Sequence, residues 1–152
     1  MKEKVVIIDY GLGNLFSLQI ALKSLGYKSL VTRDINAINS ANRIILPGVG
    51  SFGAGMRNLI NNSLVEPIKE YAKSGRPVLG ICLGMQLLLD SSEEEPGVNG
   101  LSIIKGKVQK INVPDPLKHI IKVPQVGWNN INKKNIPWKN TILQDLEENS
   151  FF

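Results

Sequence analysis

The chain has 152 residues, a mean hydropathy of −0.01 and a formal net charge of +5, from 18 basic and 13 acidic side chains. That length supplies one core of ordinary size, and a 20% charged share beside 43% hydrophobic residues excludes disorder as the main state. The single cysteine, Cys82, excludes an internal disulfide framework and a cysteine-rich zinc site, and the single histidine, His119, excludes a multi-histidine metal centre.

In chain order, the charged start Met1-Lys2-Glu3-Lys4 leads into Val5-Val6-Ile7-Ile8. This apolar run is too short for a secretory signal or a membrane span and reads as a first strand, so a cytoplasmic location is the expectation. Gly11-Leu12-Gly13-Asn14 forms a turn after it, and Leu15, Leu18, Leu22 and Leu25 recur at helical spacing before Gly26 stops the pattern. Leu30-Val31-Thr32 and Arg43-Ile44-Ile45-Leu46 are the second and third strands, the latter closed by Pro47-Gly48-Val49-Gly50. A helical pattern comes after a glycine-rich stretch (Gly48, Gly50, Gly53, Gly55), Ser63-Leu64-Val65-Glu66 has the form of a capping box for the next helix, and Gly75 and Pro77 end that one. Pro77-Val78-Leu79-Gly80-Ile81 is a fourth strand, followed by Met85-Gln86-Leu87-Leu88-Leu89 as helix.

Short apolar strands alternating with helices indicate a doubly wound, flavodoxin-like α/β fold: a mostly parallel sheet with helices on both faces. From Ser102 the pattern changes. Ile103 to Ile111 partly alternates like an antiparallel strand, and Pro114, Pro116, Pro124 and Pro137 punctuate the remainder of the chain. The lysines between Lys105 and Lys139 are scattered with few aromatics among them, which favours a solvated face over a nucleic-acid surface. Trp128 and Trp138 read as packing residues.

Three segments carry chemistry. Gly80-Ile81-Cys82-Leu83-Gly84 lies between a strand and a helix, where a nucleophile needs small neighbours because the tight backbone thrusts its reactive atom outward. A helix start also offers unpaired amides that favour thiolate, and the Leu83 amide can donate to an oxyanion on an attacked carbonyl. A small buried core cysteine is the alternative that these residues leave open. Pro47-Gly48-Val49-Gly50-Ser51-Phe52-Gly53 also leaves a strand, on the same sheet edge, and is either an amide-lined cradle or a tight connection. Gly11-Leu12-Gly13-Asn14-Leu15-Phe16 lacks the third glycine of a dinucleotide fingerprint and is no phosphate-binding loop of the Gly-Lys-Ser/Thr type.

Taken together, Ile8-Asp9-Tyr10-Gly11-Leu12-Gly13-Asn14-Leu15, Leu46-Pro47-Gly48-Val49-Gly50, Gly80 to Leu88, Gly97-Val98-Asn99-Gly100-Leu101 and Val123-Pro124-Gln125-Val126-Gly127-Trp128-Asn129 occur in order. The chain resembles the class I (triad) glutamine amidotransferases, most of all the glutaminase subunits that serve imidazole glycerol phosphate synthesis. The resemblance implies hydrolysis of glutamine to glutamate and ammonia through a thioester on Cys82, with Val49, Gly50 and Leu83 framing the oxyanion hole and Gln86 and Glu94 holding the substrate. It implies a heterodimer with a β/α-barrel cyclase that receives the ammonia in histidine biosynthesis, and no metal or organic cofactor.

Two departures qualify what carries over. The family's His-x-Glu pair is absent, His119 lies before the Gly127-Trp128-Asn129 motif, and the sequence ends where the approach to that pair is expected. One glutamine amidotransferase type 1 domain over 1–152, C-terminally incomplete, is therefore the expectation, with an exposed apolar sheet edge and a chain that alone is nearly inactive. The second departure is Gln125, where the histidine-pathway subunits usually carry histidine. A paralogous amidotransferase supplying ammonia for surface-sugar synthesis and a non-catalytic scaffold that docks to a cyclase-like barrel are the alternatives.

Overall fold

The computed structural model describes residues 4–112, 114, 127–133, 137–147, 149 and 150. His119 and Gln125 lie outside the described residues. The chain divides into two compact units, Met1–Lys110 and Ile111–Phe152.

In the first unit a four-stranded parallel sheet is built from β1 (Lys4–Ile8), β2 (Lys28–Thr32), β3 (Arg43–Leu46) and β4 (Val78–Gly80), in the order β2-β1-β3-β4. Continuous β-branched runs form its centre because a central parallel strand is covered on both faces; Val5, Val6, Ile7 and Ile8 are all buried. The chain steps from β1 through α1 (Leu15–Ser24) to β2. It then returns past β1 through α2 (Ile35–Asn39) to β3. Right-handed crossovers running in opposite directions place these two helices on opposite faces, which is the doubly wound arrangement expected. The reversal leaves a crevice beyond the carboxyl ends of β1 and β3, where such folds bind ligands.

Val6, Ile8, Ile44 and Leu46 project to one face, where they pack with Ile38 of α2 and with α3 (Phe52–Asn61), α4 (Val65–Lys73) and α5 (Leu83–Leu87) in the main core cluster. Each such fully buried aliphatic side chain contributes about 1.5–3 kcal/mol from burial. Helix α1, capped by the Asn14 side chain on the Ser17 amide, lies against β2 and has no fully buried residue. Strand β4 is an edge among the described residues, with Leu79 42% exposed.

Four details differ from the sequence reading. Helix α2 was not anticipated, since Ile35-Asn36-Ala37-Ile38-Asn39 has no clear apolar period; the Asp34 carboxylate starts it by accepting from the Ala37 amide at 2.7 Å. The capping box does not form: Ser63 takes φ +55°, and buried Leu64 is the N-cap of α4 with no side-chain bond. Phe52 and Gly53, read as loop, are the first residues of α3. The antiparallel strand expected after Ser102 is found as β6 (Lys107–Val108), which runs parallel to β5 (Ser91–Ser92), while Ser91 makes an isolated antiparallel bridge with Asn99.

The second unit shows only turns and isolated pairings among its described residues. The Ile131 amide donates to Ser150 O and the Asn149 amide to Ile131 O, and the Thr141 hydroxyl donates to Trp138 O at 2.6 Å. Lys133 Nζ lies 5.1 Å from the Trp138 ring centre. Trp128, expected to pack, is 81% exposed.

Candidate active site

Strand β4 leaves the sheet with the Ile81 amide donating to Leu46 O at 3.0 Å, which holds its exit beside that of β3. The next residue, Cys82, takes φ +54° and ψ −118°. A side chain at positive φ costs on the order of 1–3 kcal/mol and persists only where the surroundings enforce it. They do so here. The Gly84 amide donates to Ile81 O at 3.0 Å, and the Met85 and Gln86 amides return to Cys82 O at 3.0 and 3.2 Å. A β-carbon on Gly80 would lie 2.6 Å from the Met85 α-carbon, and one on Gly84 would overlap the Leu46 carbonyl oxygen. Both flanking glycines are thus steric requirements of the turn, and the thiol they present is free and exposed. The core-cysteine alternative fails on that exposure.

The loop Pro47–Ser51 lies directly on this turn. A β-carbon on Gly48 would stand 2.9 Å from both the Leu83 β-carbon and the Gly84 nitrogen, and would overlap the Tyr10 hydroxyl. Beyond it, Val49 is 51% exposed and Gly50 takes φ +102°. Leu83 is buried, so what it offers the crevice is its amide. Among the described residues, no acceptor takes up the amides of Val49, Gly50 or Leu83. With only five residues, α5 carries little macrodipole, so these local amides are the main electrostatic resource of the turn.

Gln86 sits half-buried on α5, and Glu94 reaches the far end of the loop, where its carboxylate accepts from the Phe52 amide at 2.8 Å. Beside it Glu95 packs on Gly53 and accepts from Arg57 at 2.6 Å. The two glutamates therefore fix the start of α3, and with it the end of the loop. Gly48 packs on Leu83 and Gly84, which seats the Pro47–Ser51 loop beside the Cys82 turn, and Glu94 is tied to the far end of that loop through the Phe52 amide.

The turn after β1 borders the crevice as well. Arg33 donates to Asp9 at 2.7 Å and to Asn62 at 2.9 Å, Asn62 donates to Asn58 O, and Asn58 donates to Tyr10 O at 3.1 Å. The Arg33 hydrogen bond holds the Asp9 carboxyl below its ordinary range, against a smaller opposing push from burial. Tyr10 is fully buried, and its hydroxyl donates to Pro47 O at 2.7 Å. Burial, with a smaller contribution from negative charge on Cys82, pushes that hydroxyl up to about 12. Sequence reasoning did not single out Tyr10 or Asn58, because their partners lie 37 and 48 residues away. Among the described residues no group of three or more His, Cys, Asp or Glu could hold a metal ion, and no helix is long and apolar enough to cross a membrane.

The model of the glutamine amidotransferase class-I family matches residues 6–147. The chain belongs to the class I glutamine amidotransferases. Among relatives of this amidotransferase, the imidazole glycerol phosphate synthase subunit HisH of Lactococcus lactis is 42% identical over 146 residues, covering 96% of this chain and 69% of that protein. The subunit HisH of Moorella thermoacetica is 48% identical over 127 residues, 84% of this chain and 58% of its own. That of Symbiobacterium thermophilum is 45% identical over 126 residues, 83% and 57%. The chain thus spans between about half and two thirds of the length of these relatives. A crystal structure described as a glutamine amidotransferase superposes with a TM-score of 0.60 at 19% identity, over 68% of this chain and 55% of that one, and shares the fold.

Proposed function

We propose that residues 1–152 form part of a single type 1 amidotransferase domain that hydrolyses glutamine and passes the ammonia to a cyclase partner making imidazole glycerol phosphate in histidine biosynthesis. The observation that carries this reading is the exposed Cys82 thiol at positive φ, set between two sterically required glycines and beside the Pro47–Ser51 loop, whose Gly48 packs on Leu83 and Gly84. The similarity to HisH subunits supports the pathway and the heterodimer.

In this reading the Cys82 thiolate adds to the side-chain carboxamide carbon, and the carbonyl electrons move onto oxygen. The amides of Val49, Gly50 and Leu83 stabilise that oxyanion, an effect worth about 2.7–4 kcal/mol per donor in other enzymes. Gln86 and Glu94 hold the glutamine, the Glu94 carboxylate facing its ammonium. Collapse breaks the carbon–nitrogen bond, the leaving nitrogen takes a proton from solvent water as ammonia, and a further water hydrolyses the thioester to glutamate and regenerates the thiol.

The sequence contains no His-x-Glu pair, so a dedicated acid for the leaving nitrogen is missing from it. General acid–base catalysis is commonly worth about 10²- to 10⁴-fold. The purified chain should therefore release ammonia from glutamine slowly but saturably, and iodoacetamide should stop the release. Turnover in the ordinary enzyme range of about 1–10³ per second would contradict the missing-acid argument. Absence of any saturable release would contradict the glutaminase reading.

A further inference from the structure

Three elements meet at Gly48, and only one contributes a side chain that binds the loop backbone. Strand β3 delivers the loop, the start of α5 packs against it, and Tyr10 in the turn after β1 donates its hydroxyl to Pro47 O at 2.7 Å. That bond fixes the orientation of the Pro47–Gly48 peptide plane, one residue before Val49. The Tyr10 hydroxyl, Leu83 and Gly84 together leave no room for a side chain at Gly48, so the loop packs directly on Tyr10 and on the start of α5.

Tyr10 is itself held. Its ring is fully buried, its carbonyl accepts from Asn58 of α3, and the preceding Asp9 is clamped by Arg33. Its hydroxyl, pushed up to about 12, stays protonated and able to donate throughout the working range of a thiol nucleophile.

Building on the glutaminase reading, we propose that Tyr10 is a positioning residue for amide hydrolysis: its hydrogen bond to Pro47 O holds the Val49 and Gly50 amides over Cys82 in the orientation an oxyanion requires. It touches neither glutamine nor the sulfur in this role. Its contribution is specific to reactions in which a carbonyl oxygen must be bound, and it leaves the intrinsic reactivity of the thiol alone.

The test compares two electrophiles on Tyr10→Phe, which keeps the ring and deletes the hydroxyl. Iodoacetamide alkylates a thiol by direct displacement, whereas a glutamine-like chloromethyl ketone reacts fast only when its carbonyl is seated. The chloroketone rate should fall about 10- to 100-fold, the scale of a misplaced catalytic contact, while the iodoacetamide rate stays within about twofold. Amide hydrogen exchange at Gly48, Val49 and Gly50 should accelerate in the same variant. Equal changes in both alkylation rates would place the effect on the sulfur or on general stability and overturn the proposal. Unchanged chloroketone labelling with unchanged exchange would overturn it as well. A wild-type chain whose chloroketone labelling glutamine does not slow would sink the glutaminase reading, and this proposal with it, while faster loop exchange in Tyr10→Phe would still report the structural bond. Should Tyr10→Phe fold poorly, Asn58→Ala loosens Tyr10 from its backbone side and should give the same selective loss in chloroketone rate; a parallel loss in both rates there would count against the proposal.

Discussion

Replacing Cys82 with alanine should reduce glutamine-dependent ammonia release to the uncatalysed background while leaving the melting temperature of the chain nearly unchanged. The two halves of that expectation have separate causes. On the proposed thioester route activity disappears because the sulfur is the nucleophile of the turn, and no neighbouring amide can substitute for one. Stability survives because Cys82 is exposed, so removing its sulfur opens no cavity, and alanine carries the same β-carbon at the same positive φ. Exposed substitutions of this kind usually stay within about 0.5 kcal/mol. If the proposed cyclase partner is supplied, synthesis driven by free ammonia should continue in this variant, since the chemistry lost is confined to ammonia generation. Retention of glutamine-dependent release would remove Cys82 from its role.

The second large effect is on stability rather than chemistry. Gly84→Ala drives a β-carbon into the Leu46 carbonyl oxygen, a backbone atom, so no flexible side-chain end can yield. Either α5 must lift from the sheet or β3 must bend, and both carry core residues, Leu83 and Leu87 on one side and Ile44 and Leu46 on the other. Overpacking of well-filled cores costs about 1–3 kcal/mol and sometimes more, and the lack of any yielding group puts this site at the upper end. A loss of about 3 kcal/mol corresponds to a melting temperature lower by about 6–12 °C in a chain of this size. Gly75→Ala is the natural control. It sits at positive φ, +76°, which Gly84 does not, and nothing lies within 4 Å of its β-carbon position, so only the left-handed penalty of about 1–2 kcal/mol applies. Equal melting temperatures for the two variants would show that the close approach of Gly84 to Leu46 does not constrain the fold.

How much of this was legible in the sequence depended on whether the signal was local. Val5–Ile8 and Arg43–Leu46 were readable because buried parallel strands need unbroken apolar runs, and the Asn14 start and Gly26 stop of α1 follow from capping and positive φ. The glycines around Cys82 were readable for the same reason, since a tight turn demands them within two residues. Helix α2 was not, because an Asn-rich five-residue segment is helical here through the Asp34 cap and the burial of Ile38 rather than through propensity. Ser63 and Glu66 had the spacing of a capping box, but the packing of Leu64 into the core shifted the helix start by one residue. The parallel pairing of Lys107–Val108 with Ser91–Ser92 left no mark in the alternation that suggested an antiparallel strand. Tyr10 looked like one more residue of a turn motif, since nothing near it in sequence reveals a bond to Pro47.

A glutamine-like chloromethyl ketone reads the central assignment most directly, because it tags the nucleophile of the proposed glutamine site. Peptide mass mapping after stoichiometric labelling should find one adduct, on Cys82, and saturating glutamine should prevent it. An adduct on another side chain, or labelling of Cys82 that glutamine leaves unaffected, would contradict the role given to that sulfur.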